Sequence, residues 1–106
     1  MKNKNLIPTS FQCGGITYEV RRVDKCTDFD YGNVQYSPAI IEIADKTRIG
    51  DPQSESCKTN TFFHELVHTI LNTMREDDLQ NEKFVSTFAS FLTEAMVTAE
   101  YKEEQQ

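Results

Sequence analysis

The chain has 106 residues, with 17 acidic against 11 basic side chains and a formal net charge of −6. That length holds one domain, taken as 1–106, with a single modest core. An acidic balance without a basic stripe excludes the phosphate-tracking surface of a nucleic-acid binder, and no apolar run reaches membrane-spanning length.

Residues 1–8 read as a mobile lead-in ending at Pro8. It has basic residues but no hydrophobic stretch fit for a signal peptide, so a cytoplasmic protein is expected. Phe11-Gln12-Cys13 and Ile16 to Val23 flank Gly14-Gly15, a two-residue hairpin signal. In the second arm Ile16, Tyr18 and Val20 share one face, and Thr17, Glu19 and Arg21 the other. One face packs and one meets water. Asp24 to Asp30 is polar, and its Asp28 and Asp30 read better as a solvated loop than as a second cation site. Gly32 to Tyr36 and Ile40 to Ala44 read as a second strand pair turned at Ser37-Pro38-Ala39. Asp45 to Gln53 is a turn-rich link, broken by Gly50 and Asp51-Pro52.

Asp51 or Ser54 is placed to cap the helix that follows. Its expected buried stripe is Phe63, Leu66, Val67, Ile70 and Met74, and its expected end is near Asn72. A second helix is predicted from about Leu79, with Asp77 or Asp78 as its cap. Phe84, Val85, Phe88, Phe91, Leu92, Ala95, Met96 and Ala99 recur along it at three and four, so its phenylalanines are expected to pack as core against the first helix and the sheet. The charged run over 100–106 reads as a mobile end. The predicted architecture is α+β: a small antiparallel sheet followed by two packed helices.

The first helix carries His64-Glu65-Leu66-Val67-His68. Residues four apart on a helix lie about 40° apart in azimuth, so His64 and His68 project side by side and can share one zinc ion. Glu65 points about 100° away from His64, too far round for the same ligand shell but within reach of a water on the metal. That is the layout of a zinc hydrolase with Glu65 as general base. The plainer alternative is a pair of solvated helix histidines. Cys57, on nearly the same azimuth as His64, sits about 10 Å up the axis, too far to share a zinc with His68. With Cys13 and Cys26 it makes an odd count without Cys-x-x-Cys spacing, which predicts free thiols.

Catalytic zinc takes three protein ligands. Of the acidic candidates Glu76, Asp77, Asp78, Glu82 and Glu94, Glu82 falls in the first turn of the second helix, beside the histidines if the chain reverses through 73–79. Glu94 would lie about 18 Å further along. Asp77 and Asp78 stay possible if the loop folds inward, though capping explains them. The alternative for Glu82 is an exposed carboxylate favoured by the helix dipole.

His64 to His68, followed by Glu82-Lys83-Phe84-Val85-Ser86-Thr87-Phe88-Ala89-Ser90-Phe91-Leu92, resembles the ImmA/IrrE-type zinc metallopeptidases, especially the short phage and mobile-element forms. In that family His-Glu-x-x-His is followed by Glu-x-x-Ala-Asn-x-Phe-Ala-x-x-Leu. The likeness runs from Thr61 to about Met96. Val85-Ser86 stands where the family has Ala-Asn, and Val67 where it often has Gly. The resemblance implies a minimal zincin fold, with His64, His68 and Glu82 holding Zn2+ and Glu65 as catalytic base. It also implies hydrolysis of a peptide bond in a protein substrate held along Ile40–Ala44 as a sheet edge. The alternative is a catalytically inactive binding module that sequesters a partner protein. Tyr31 and Tyr36 are the candidate oxyanion donors, and spacing selects neither. Neither nucleic acid nor membrane is expected as a direct partner, and oligomeric state has no sequence signature.

Overall fold

The computed structural model describes residues 5–26 and 30–102. Gly14 and Gly15, at φ 59° and 80°, make the tight turn that joins strand β1 (Ser10–Cys13) to β2 (Ile16–Val23). Positive φ at both turn positions matches the right-handed twist of the two arms. Strands β3 (Gly32–Tyr36) and β4 (Ala39–Ala44) form the second antiparallel pair.

The sheet is not all antiparallel, as the sequence suggested. Its order is β1-β2-β4-β3, and β2 and β4 run parallel, with Val20 opposite Ile41 and Arg22 opposite Ile43. The segment through 24–31 and β3 is long enough for the crossover that a parallel pair needs. Composition gives the physical reason for the order. Ile40, Ile41, Ile43 and Ala44 are all buried, which suits an interior strand, whereas β3 carries Asn33 and Gln35 and takes the edge. Ile40–Ala44 is therefore not a free edge.

Helix α1 (Glu55–Met74) lies across the sheet, and helix α2 (Glu82–Thr98) packs on α1. Ser54 caps α1, its hydroxyl accepting from the Cys57 N–H at 3.1 Å. The helix stops at Arg75, in the left-handed region at φ 61°, where the Glu76 N–H closes back on the Leu71 carbonyl at 2.9 Å. Asp77–Leu79 forms a single 3-10 turn instead of a cap. The cap of α2 is Asn81, whose side-chain oxygen accepts from the Phe84 N–H at 2.8 Å. Glu82 is thus the first residue of α2.

Because α1 is covered by the sheet on one side and by α2 on another, its buried set is broader than one stripe. Phe62, Phe63, Val67 and Leu71 join Val20, Ile41, Ile43, Val85 and Ala89 in one core. Ile70 and Met74, expected inside, are exposed. In α2 only the narrow line of Val85, Ala89 and Thr93 is buried, with Leu92 and Met96 partly covered. Phe88 and Phe91, read from sequence as core, are 49% and 68% exposed. Their flank lies about 60–120° round from Val85, beyond the single surface that α2 contacts. Phe11 stacks on Tyr18 across the first hairpin at 5.4 Å and meets the Phe62 ring edge-on at 5.9 Å, tying the hairpin to α1.

At the ends, residues 1–4 and 103–106 lie outside the described residues. Residues 5–8 are not a loose lead-in, since Ile7 belongs to the core. Asp28 also falls outside the described residues. The three cysteines are free. No helix among the described residues is long and apolar enough to cross a membrane.

One close approach brings the β3 edge to α1. A Cβ on Gly32 would run into the Thr61 methyl and stand 3.2 Å from the Glu42 carbonyl oxygen and 3.5 Å from Glu65 Cγ. Thr61 is β-branched and on a helix, so its methyl has little freedom to move aside. Gly32→Ala should cost about 1–3 kcal/mol, the usual range for overpacking. Chemical denaturation reads this directly, and an unchanged midpoint would contradict the close strand–helix contact.

Candidate metal centre

Helical spacing sets His64 and His68 on the open flank of α1, with ring centroids 5.0 Å apart and planes at 63°. The αL stop at Arg75, the 3-10 turn and the Asn81 cap return the chain so that α2 starts beside them. Glu82 then spans both rings. Its Oε1 lies 3.0 Å from His64 Nε2 and its Oε2 3.0 Å from His68 Nε2. One ligand atom from each of His64, His68 and Glu82 lies within 4.8 Å of the others, a group that can hold a metal ion. Both histidine side chains are largely buried, while the Glu82 side chain is 70% exposed.

Glu65 stands outside this ligand group, as its azimuth requires. It is 8% exposed and lines the same cleft, of about 590 Å³, between the β3 edge, α1 and the start of α2. Burial pushes its carboxyl up to about 7; the nearby His68 opposes the shift, and Glu82 and Asp30 add to it. His64 is shifted down, chiefly by burial, which outweighs the pull of the Glu82 carboxylate. Burial thus drives Glu65 and His64 towards their neutral forms.

The remaining sequence candidates separate clearly. Asp77 and Asp78 sit in the 3-10 turn, Glu94 lies in the far half of α2, and none of them joins the ligand group. Cys57 does not line the cleft. Tyr31 and Tyr36 both do, and the Tyr36 hydroxyl donates to the His68 carbonyl at 3.4 Å.

Two features of the site carry no sequence signal. Gln80 reaches back from the turn to His68, with Oε1 2.6 Å from Nδ1 and Nε2 donating to the backbone carbonyl at 3.0 Å. A neutral amide in a turn carries no motif that would have flagged it. The second feature is the cleft-side edge itself, which is β3. The Ala44 N–H donates to the Tyr31 carbonyl at 2.9 Å, making that pair a hydrogen-bonded one. By antiparallel alternation, the peptide groups of Gly32, Val34 and Tyr36 turn outward.

No family model matches the chain, and no curated protein or solved structure matches it.

The buried carboxyl has a consequence for stability. The folded chain keeps a proton on Glu65 up to about pH 7, where an unperturbed carboxyl of pKa 4.5 has lost it. Stability tied to that proton is complete at low pH and is lost as pH rises through about 7. With metal removed by chelator, Glu65→Gln should be more stable than wild type at pH 8, by on the order of 2–3 kcal/mol at most. The gap should close towards pH 5. Urea titrations at both pH values check this, and a gap independent of pH would contradict it.

Proposed function

We propose that this protein is a zinc-dependent metallopeptidase that hydrolyses a peptide bond in a protein substrate, of the ImmA/IrrE-like kind its motifs resemble. The observation that carries the reading is the placement of Glu82. A second helix brings its carboxylate to 3.0 Å from the Nε2 atoms of both motif histidines, while Glu65 stays out of the ligand group. Two imidazole nitrogens and one carboxylate oxygen form a catalytic zinc donor set that leaves a coordination position open. The same set also serves non-haem iron. What favours a hydrolase is the buried fourth group, Glu65, beside the ligands in the cleft.

When bound, zinc supplies Lewis acidity, polarising a carbonyl oxygen and acidifying water. The rest falls to the chain's own groups. Glu65 is the carboxylate base, held in the cleft beside the ligand group. It takes a proton from the attacking water and passes it to the leaving amine. The outward peptide groups of Gly32, Val34 and Tyr36 hold an extended substrate by strand addition to β3. A phenol from Tyr31 or Tyr36 donates to the developing oxyanion. The compartment expected from the sequence, the cytoplasm, belongs to this same reading.

Glu65→Gln keeps size and hydrogen bonding but cannot take a proton. It should bind one full equivalent of zinc and cleave an unfolded protein substrate about 10²–10⁴-fold more slowly. Metal analysis and a cleavage assay on the same samples check this. Turnover equal to wild type would overturn the mechanism. Stoichiometric zinc with no turnover in either protein would favour the binding-module alternative.

The ligand assignment has its own test. Glu82→Ala should weaken zinc binding in a chelator competition, and Glu94→Ala should not. Equal affinities would remove Glu82 from the ligand set.

A further inference from the structure

We propose that Gln80 is the positioning residue of His68, selecting the tautomer whose Nε2 lone pair faces the cleft; this rests on the metal-site reading. Gln80 closes the 3-10 turn, its N–H donating to the Asp77 carbonyl at 3.1 Å, immediately before the Asn81 cap. From there its side chain reaches α1 and contacts His68 twice. Nε2 donates to the His68 backbone carbonyl at 3.0 Å, and Oε1 lies 2.6 Å from Nδ1.

The first contact decides the second. A carbonyl oxygen only accepts, so the amide nitrogen of Gln80 must face it. The amide oxygen is then the atom at Nδ1, and an amide oxygen also only accepts. Nδ1 must therefore carry hydrogen. In a neutral imidazole that leaves the lone pair on Nε2, the nitrogen 3.0 Å from Glu82 Oε2. The reverse orientation would set two oxygens, those of Gln80 and His68, against each other at 3.0 Å.

The second effect is mechanical. With ring and backbone of one residue held by one amide, the His68 side chain cannot rotate without breaking a bond at Nδ1. The same amide fixes the turn that delivers Glu82. Ring orientation and the arrival of the third ligand are thus set by one side chain. Outer contacts of this kind typically change metal affinity by about 10–100-fold.

The test separates Gln80 from the metal. In metal-free Glu82→Ala protein neither ion nor carboxylate holds Nε2, and nitrogen-15 NMR at pH 9 reports the tautomer. His68 should be protonated on Nδ1. Adding Gln80→Leu, of similar size but without polar atoms, should release it to a mixture dominated by protonated Nε2. The His64 resonances, which Gln80 does not touch, give the internal reference. An unchanged His68 tautomer would overturn the proposal.

In the otherwise wild-type chain, Gln80→Leu should bind zinc about 10–100-fold more weakly. Equal affinity in wild type and Gln80→Leu would also overturn it. A wild-type chain that binds no zinc would instead overturn the metal reading, and the tautomer measurement would still judge Gln80 alone.

Discussion

The rest of the structure depends on the burial of α1 from two directions. The sheet covers it with Val20, Ile41 and Ile43, and α2 covers it with Val85 and Ala89. A helix held between two layers has only its flanks left for chemistry. One flank faces the open gap between the β3 edge and the start of α2, and His64 and His68 project there. Hydrophobic packing thus fixes the azimuth of the histidines to within the precision that ligation needs. The small side chain of Ala89 and the missing one of Gly32 set how closely α2 and β3 approach that flank.

Electrostatics then complete what packing begins. Burial alone would neutralise Glu65 and His64, raising the one and lowering the other. The exposed Glu82 adds a carboxylate at the mouth, where water limits the cost of its charge. Two imidazole nitrogens and a carboxylate converge on one point of the cleft, a group that can hold a cation. His64, Glu65 and His68 come from α1, Glu82 from α2 and the free edge from β3, so the cleft is also a fastening between layers.

The exposed apolar residues of the two helices follow from the same geometry. α2 touches α1 and not the sheet to any extent, so one line of small residues suffices to bury it. Phe88 and Phe91 are left over on its outer flank, and Ile70 and Met74 on that of α1. A helical period shows that these residues share a side. It carries no information on whether a second layer covers that side.

What the sequence alone determined were the features carried by short spacing. These are the Gly14-Gly15 turn, two strand pairs, two helices, the side-by-side histidines and a first-turn Glu82. Each is decided within a few residues by backbone conformation or helical pitch. Tertiary structure decided everything that depends on which surface meets which. β4 went inside the sheet beside β2, in parallel, because its two apolar faces are better covered there than at an edge. That moved the free edge to β3 and made Gly32 a contact point. The choice of Asn81 over Asp77 or Asp78 as cap shifted the start of α2 and left Gln80 facing His68. A neutral side chain in a turn acquires a role only from what lies across from it, and that is settled by long-range packing, not by local sequence.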